Sequence, residues 1–578
     1  MKIKFPRVSP LCFLYLFCVI SVLAYGLLKH FAFSDRLNAF FLNPGWTYTG
    51  VLLQLHAWGF ILCTGASALI WNLSNKYGKL LCMGAVSFFL LLESVDAALI
   101  QLFNVRFAFE QLAQGGGVLF SAGPLIWAYL LSPAGICTIV LWISWAFICV
   151  VGYKYTLPYK KTKLLYIAAL CLLCWHISPV FVKNDQQKNH LTDWIYTYFQ
   201  TPAQLPGPVM DMPYSELTYQ CQDGLNSRQN VIVILLESVS SHMSQYFSDG
   251  LGHLTPQLDQ LARRHTAFMR HHATNYTTSQ NLFSVLTGIP AICYYLITNF
   301  YKEPKFYQNT LPRLFKQEGY HTAFFTSAQQ VLFKDLILQR AGFDEISDDT
   351  DPFYQGKKRF IFNSVSDDVL FARAEKWIAS RSNDTPYLMF LETTTGHLPY
   401  TDPLTGKNDF EKTFLFIDAA LKNFIDRLAQ KDLLKNTLIV ITSDHRNPSP
   451  VTHEQYGRFG SGAKVRVPLL IINGPRVPIF TGDTTHIDLP PSLAYAALSK
   501  ACFHPYQQNL FSAEKTRNSC VFSQALGTEK EVFIQCGEQN AELHFLDNGA
   551  YFSHGDLSES QKEKALAFLS WLRHHNRY

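Results

Sequence analysis

Three polar residues in the second half of the chain stand where they could bind a metal ion. Glu237 directly follows one apolar run, and the pair Asp444-His445 follows another. A carboxylate at the end of a buried strand needs a cation or hydrogen bonds to offset its desolvation. Carboxylates combined with one imidazole suit Zn²⁺ or Mn²⁺ better than Ca²⁺. Taken singly, each residue has the alternative role of capping a following helix.

A cluster of hydroxyls, Thr277-Thr278-Ser279, precedes a segment with apolar residues at helical spacing. A hydroxyl at a helix start is usually a cap, but a helix N-terminus also favours a bound phosphate or sulfate. A threonine hydroxyl becomes a good nucleophile when a metal ion lowers its pKa. The cluster therefore holds candidate nucleophiles for a metal-assisted reaction.

From residue 229 onward, short β-branched runs alternate with helical periodicity, which is typical of an α/β sheet buried on both faces. Active sites in such sheets lie at the carboxyl ends of the strands. The predicted strands are Val231–Leu236, Thr322–Phe325, Tyr387–Leu391, Thr437–Thr442 and Pro468–Ile472. The predicted helices are Thr255–Thr266, Asn309–Glu318, Ser364–Ser380 and Asp409–Gln430.

The first 182 residues contain apolar runs that are long enough to span a bilayer, which takes about 20 residues. The predicted spans are 10–31, 48–72, 79–104, 132–153 and 163–182. A secretory signal peptide is the alternative for the first run, but no clear cleavage site follows it. Glu93 and Asp96 fall inside the third span, where they either contact a lipid headgroup or form interhelical hydrogen bonds.

Basic residues in the short loops predict the orientation of these spans. Lysines or arginines precede the first span and separate the second from the third and the fourth from the fifth. An internal N-terminus and five crossings place the rest of the chain outside. We therefore expect a multi-pass protein of the inner (plasma) membrane, with a periplasmic or extracellular catalytic domain.

The domain boundaries follow from these patterns. We predict a five-helix transmembrane domain (1–182), an amphipathic linker on the membrane surface (183–228), a catalytic domain (229–500) and a C-terminal extension that completes it (501–578). The net charge of +5 is small and dispersed, so nucleic acid is not an expected partner. An oxidising compartment would permit disulfides among the exported cysteines Cys221, Cys293, Cys502, Cys520 and Cys536, but the sequence does not give their pairing.

An ordered set of motifs resembles the lipoteichoic acid synthase group of the sulfatase/alkaline-phosphatase superfamily. The motifs are Asn230-Val-Ile followed by Glu237-Ser238, Thr255-Pro-x-Leu, Thr278-Ser279 with Leu286-Thr-Gly-Ile-Pro290, Ala341-Gly-Phe-Asp344-Glu345, Ser366-Asp-Asp-Val-Leu-Phe371, Thr393-Thr-Thr-Gly-His397-Leu-Pro-Tyr400, Ser443-Asp444-His445, Val465-Arg-Val-Pro and His486-Ile-Asp488-Leu-Pro-Pro. The resemblance covers residues 229–500 and implies an α/β/α domain with a mixed, mostly parallel sheet.

The resemblance also implies roles for individual residues. Glu237, Thr278, Asp444 and His445 would bind one divalent metal ion, Mn²⁺ or Zn²⁺, possibly with a second ion nearby. Thr278 would be the nucleophile; we prefer it to Thr277 and Ser279 for its spacing to Gly288 and its following serine. The group's substrate-phosphate histidine matches His397.

The residue His453 follows the metal-binding pair and has two interpretations, a contact to substrate or acceptor and an ordinary loop histidine.

The implied reaction transfers phosphoglycerol or phosphoethanolamine from a membrane phospholipid to an envelope glycan or lipid through a modified threonine. A hydrolase of sulfuric or phosphoric esters is the alternative, although residues 276–283 contain no Cys/Ser-x-Pro-x-Arg motif. A non-catalytic relative would be expected to lack the metal ligands.

Two stretches depart from the group's pattern. Where glycerol-phosphate polymerases carry His-Gly-Asn followed by Trp and Arg, this chain has Thr326 at the histidine and Asp335 at the arginine. Glycerol phosphate as the transferred group is therefore open to question. After Asp444-His445, Arg446-Asn447-Pro448 replaces the usual glycine-containing turn.

Overall fold

Two long apolar helices are described near the start of the chain. The computed structural model describes residues 75–103, 127–154 and 219–575, with gaps of which 293–306 is the longest, and isolated positions among 20–28. Helix α1 (Lys76–Phe103) and helix α2 (Pro133–Lys154) pair through Trp142 Nε1, which donates to Ser94 Oγ at 3.0 Å. Both helices contain stretches long and apolar enough to cross a membrane.

These helices coincide with the third and fourth of the five predicted spans. The other three predicted spans lie outside the described residues, apart from isolated positions of the first. Glu93 and Asp96 are both buried in α1.

The second unit comprises residues 114–122 and 201–578 and holds the remaining elements. Its described strands are β1 (Gln220–Asp223), β2 (Asn230–Leu236), β3 (Thr266–Ala267), β4 (His271–His272), β5 (His321–Thr326), β6 (Glu345–Ser347), β7 (Tyr387–Glu392), β8 (Thr437–Ser443), β9 (Leu469–Ile472), β10 (Thr484–Thr485), β11 (Lys500–Phe503), β12 (Cys520–Ser523), β13 (Glu531–Cys536), β14 (Gln539–Leu546) and β15 (Gly549–Gly555). Its described α-helices are α3 (Pro256–Ala262), α4 (Thr278–Thr287), α5 (Leu311–Gln317), α6 (Lys334–Ala341), α7 (Asp367–Ala379), α8 (Phe410–Gln430), α9 (His453–Phe459), α10 (Leu489–Ala497) and α11 (Glu559–His575).

The main sheet has seven strands in the order β3-β9-β8-β2-β7-β5-β6. The neighbours from β8 to β6 pair in parallel, whereas β9 is antiparallel to both β8 and β3. This arrangement confirms the predicted mixed, mostly parallel sheet. Each of the five strands predicted from the sequence lies in it.

Alternate side chains of the central strand β2 point into two apolar layers. Val231, Val233 and Leu235 pack against α4, α5, α6 and α10, while the intervening residues Ile232, Ile234 and Leu236 pack against α3, α7 and α8. Burial on both faces explains why β2 is apolar throughout. The α/β/α layering leaves the carboxyl ends of β2, β7 and β8 at one edge of the sheet.

Two disulfides join strands of this unit. Cys221 and Cys502 link β1 to β11, so the last residues of the predicted linker pair with a strand of this unit. Cys520 and Cys536 link β12 to β13 within an antiparallel sheet of β12 to β15. Cys293 lies outside the described residues.

Candidate metal centre and active site

The ends of two adjacent strands bring the predicted acidic residues together. Strands β2 and β8 pair in parallel with Leu236 opposite Ser443, so Glu237 and Asp444 leave the sheet side by side. One ligand atom from each of Glu237, Asp444 and His445 lies within 4.8 Å of the others. All three side chains are buried. Among the described residues, these three form a group of potential ligands close enough together to hold a metal ion.

Thr278 enters the same cluster from helix α4. Thr277 is the extended residue before the helix, and Thr278 is its first residue. The Oγ1 atom of Thr278 lies 3.4 Å from Glu237 Oε2 and 3.3 Å from His445 Nε2. The structure therefore brings together the four residues expected to bind the metal, with the threonine hydroxyl at a helix N-terminus that favours anions.

The hydrogen bonds around Asp444 and His445 fit a bound cation. Asp444 Oδ1 accepts from the backbone N–H groups of Ser238 and His445 at 2.9 and 2.7 Å, whereas its Oδ2 is buried and has no described hydrogen-bond partner. The Nδ1–H of His445 donates to the Arg446 carbonyl at 3.0 Å, which leaves the Nε2 lone pair directed into the cluster. This pattern is typical of a metal-ligating histidine.

The electrostatics of the cluster also favour a positive charge. Burial, together with the nearby Glu237 carboxylate, raises the pKa of Asp444 to about 6. Burial opposes protonation of His445, but Asp444 and Glu237 outweigh it and raise the pKa of the imidazole. Both shifts arise because buried carboxylates lack a counter-charge, and a divalent cation would supply one.

The loop after β7 fixes the position of Glu237. Its Thr393 Oγ1 accepts the Glu237 backbone N–H at 2.9 Å. Gly396 packs so closely that a Cβ atom there would lie 2.2 Å from the Glu237 carbonyl oxygen. A side chain at residue 396 would therefore displace this metal-binding candidate. Ser238, the next residue, has a φ of 60°, a left-handed conformation that is rare for serine.

The predicted phosphate-binding histidine lies in the same loop. His397 donates from Nδ1 to the Leu398 carbonyl at 2.9 Å, and its ring meets Phe362 edge-on at 4.8 Å between centroids. Burial lowers the pKa of His397 to about 4, with a further contribution from His445. Its charge is thus coupled to the metal cluster. His453 begins α9, and its side chain lies outside the described part of the structure.

A buried ion pair beside the cluster was not predicted from the sequence. Lys334, the first residue of α6, pairs with Glu392 at the end of β7, and both side chains are buried, at 8% and 2% exposure. The next residue, Asp335, stands where the resemblance placed an arginine, but it is exposed. A positively charged side chain, Lys334, is therefore present in this region, one residue before the position at which the resemblance placed an arginine. A lysine directly before the mismatched Asp335 was the signal available in the sequence.

Comparisons with known proteins agree with this geometry. Residues 229–497 match the family model described as Sulfatase. The lipoteichoic acid synthase-like YvgJ of Bacillus subtilis is 24% identical over 272 residues, which cover 43% of this chain and 42% of that protein. The lipoteichoic acid synthase of Staphylococcus saprophyticus is 24% identical over 244 residues, which cover 38% of this chain and 36% of that protein. The chain thus spans less than half the length of these curated relatives.

A solved structure shows the same fold. A protein in the alkaline phosphatase superfamily from Vibrio parahaemolyticus superposes with a TM-score of 0.52 and 20% identity, covering 64% of this chain and 92% of that one. This likeness establishes the architecture of the second unit and carries no information on substrate.

Proposed function

Because residues 229–497 form a sulfatase-family domain, we propose that this chain is a metal-dependent phosphotransferase that takes its donor group from a membrane phospholipid. The transferred group is phosphoglycerol or phosphoethanolamine, and the acceptor is an envelope glycan or lipid. The contact of the Thr278 hydroxyl with Glu237 and His445 carries this proposal, because it places a nucleophile among the candidate ligands. The phospholipid donor is what the motif resemblance to the lipoteichoic acid synthase group implies, and two curated relatives carry that name.

Thr278 and the residues around it have different roles in the proposed reaction. Glu237, Thr278, Asp444 and His445 would hold Mn²⁺ or Zn²⁺, which would lower the pKa of the Thr278 hydroxyl and stabilise charge on the phosphoryl group. Thr278 Oγ1 loses its proton and attacks the phosphorus, the bond from phosphorus to the diacylglycerol oxygen breaks, and that oxygen takes up a proton. An acceptor hydroxyl then attacks the phosphothreonine diester, the bond from phosphorus to Thr278 Oγ1 breaks, and the proton lost by the acceptor restores the threonine hydroxyl.

Two neighbouring groups suit the binding of an anionic phosphodiester. The N-terminus of α4 directs backbone N–H groups towards the site of attack. His397 lies beside the cluster and can donate from Nε2 once a bound anion favours its protonation. His453 would contact substrate or acceptor from the first turn of α9.

The proposed location follows the membrane spans predicted from the sequence. The apolar helices α1 and α2 are long enough to cross a bilayer, and two disulfides favour an oxidising compartment for the second unit. We place the catalytic domain on the periplasmic or extracellular side of the plasma membrane.

Mass spectrometry of the full chain tests the proposal directly. The Mn²⁺-loaded protein, in detergent, is incubated separately with phosphatidylglycerol and phosphatidylethanolamine and then digested. We expect an adduct on Thr278 whose mass identifies the donor headgroup, and none in the Thr278→Ala variant. Thr287→Ala, a change at the other end of the same helix, is the matched control and should retain the adduct.

Two outcomes would count against transfer. No adduct with either lipid in a metal-loaded sample would contradict the phospholipid-dependent reaction. Release of free headgroup phosphate at an equal rate with and without an acceptor would instead favour the hydrolase alternative, in which water takes the place of the acceptor hydroxyl.

A further inference from the structure

Tyr400 stands at the end of the loop that positions Glu237, and its hydroxyl has an unusual environment. The ring packs edge-on against Phe410 at 5.0 Å between centroids and also contacts Phe414, so its orientation is fixed by apolar neighbours. Tyr400 has a φ of 58°, a left-handed conformation that is uncommon for a bulky residue. Such strain is found where the surrounding structure fixes a side chain for function.

Asn447 determines which way the hydroxyl proton points. Its Oδ1 accepts the Ser449 backbone N–H at 2.9 Å, so the amide must present Nδ2–H to the Tyr400 hydroxyl oxygen, 3.0 Å away. The backbone N–H of Asn447 also donates to Ser240 Oγ at 2.7 Å. Since Tyr400 accepts from Asn447, its own O–H must point elsewhere. No acceptor for it is present among the described residues.

The Tyr400 hydroxyl lies beside the turns that follow strands β2 and β8, and the same turns carry Glu237, Asp444 and His445. The loop that carries Tyr400 packs on Glu237 at Gly396, and Asn447 lies three residues after Asp444. Burial raises the pKa of Tyr400 and the Glu237 carboxylate raises it further, so the phenol keeps its proton. The asparagine occupies the turn in which this chain departs from the glycine-containing pattern of the resembling family.

We propose that Tyr400 donates its O–H hydrogen bond to a non-bridging oxygen of the phosphoryl group bound at Thr278, and that Asn447 is the residue that orients it. This assignment deepens the proposed phosphotransferase function and rests on it. Tyr400 is then a substrate-contacting residue, and Asn447 is a positioning residue. The ligand chemistry is a tetrahedral phosphorus oxyanion, whether in a phosphodiester or in inorganic phosphate.

Substitutions that retain packing separate this role from a structural one. Tyr400→Phe removes one oxygen atom and leaves the contacts with Phe410 and Phe414. Because hydrogen bonds to charged groups are the stronger ones, we expect a loss of about 10- to 100-fold in kcat/KM for bis(p-nitrophenyl) phosphate and a weaker Kd for inorganic phosphate, measured by calorimetry on the Mn²⁺-loaded full chain. Tyr456→Phe, at an exposed tyrosine of α9, is the control and should leave both values unchanged.

The double variant tests the link between the two residues. Asn447→Ala should reduce both readouts less than Tyr400→Phe, and it should add no further loss in the Tyr400→Phe background, because its effect passes through that hydroxyl. A phosphorothioate version of the diester accepts hydrogen bonds poorly, so the difference between wild type and Tyr400→Phe should shrink on it.

The possible results separate the failure of this inference from the failure of the proposed phosphotransferase function on which it rests. A Tyr400→Phe variant with wild-type phosphate affinity and turnover overturns the hydrogen bond and leaves the phosphotransferase proposal standing. Additive losses in the double variant overturn the role of Asn447. A wild-type chain that turns over no phosphodiester and binds no phosphate overturns the proposed function and this inference with it.

Discussion

Removing Lys334 should destabilise the second unit strongly, because it leaves Glu392 buried without its partner. The two side chains are only 8% and 2% exposed, so water cannot replace the lost ion pair. Breaking a buried pair by removing one partner costs about 3–5 kcal/mol. We therefore expect Lys334→Met to lower the free energy of unfolding by about 4 kcal/mol at pH 8.

The loss should depend on pH with a defined sign. Burial raises the pKa of Glu392, while Lys334 opposes that rise and Asp444 adds to it. Without Lys334, the pKa in the folded state rises further above the value in the unfolded chain, about 4.3. The folded protein then holds a proton that the unfolded chain releases, so stability falls as pH increases from about 4.3 towards the raised pKa. The deficit should be smaller at pH 5 than at pH 8.

Pulse proteolysis in urea, on the full chain in detergent, measures these differences. Lys435→Met is the control, since Lys435 and its partner Asp432 are 79% and 74% exposed and their ion pair contributes little. The double variant Lys334→Met/Glu392→Gln should recover most of the loss because the buried charge is gone. A Lys334→Met variant that is as stable as the Lys435→Met control at pH 8 would refute the reasoning.

Three further expectations follow from other contacts. Mn²⁺ at 100 times its Kd should stabilise the chain in pulse proteolysis by about 3 kcal/mol, and Asp444→Asn should abolish that gain. Asp418→Ala should cost about 2 kcal/mol in urea unfolding, because this carboxylate accepts two backbone N–H groups at the start of α3, at 2.7 and 2.8 Å. Cys221→Ser should release a cross-link across 281 residues, lowering stability by at most about 5 kcal/mol and speeding hydrogen exchange of β1.

Periodicity and composition were sufficient to predict the main sheet. Each predicted strand was a continuous apolar run, which is the pattern that burial on both faces requires. The meeting of Glu237 and Asp444 was predictable because parallel neighbours end at the same edge, so two carboxylates that follow adjacent strands lie close together. Thr278 needed the resemblance as well, since its turn alone indicates only a helix cap.

Other parts of the site depend on contacts between segments that are distant in sequence, and local sequence patterns do not predict such contacts. Glu392 ends a strand just as Glu237 does, yet it pairs with Lys334 from another helix and lies outside the ligand group. The hydrogen bond from Asn447 to Tyr400 joins residues 47 positions apart. Strand β1 escaped detection because it is short and exposed, and only its pairing with β11 makes it a strand.

The charges at the sheet edge explain why neutral donors matter here. When ionised, the carboxylates of Glu237, Asp444 and Glu392 carry three negative charges, which Lys334 and one divalent ion would offset in full. The buried guanidinium of Arg446 donates to the carbonyls of Asn447 and Ser449, so little positive charge is left to attract a phosphodiester. Preorganised hydrogen-bond donors would then add to the binding of the anion, and they cost no reorganisation when charge develops on the phosphoryl oxygens. In the proposed mechanism, those donors are the N-terminus of α4 and the Tyr400 hydroxyl.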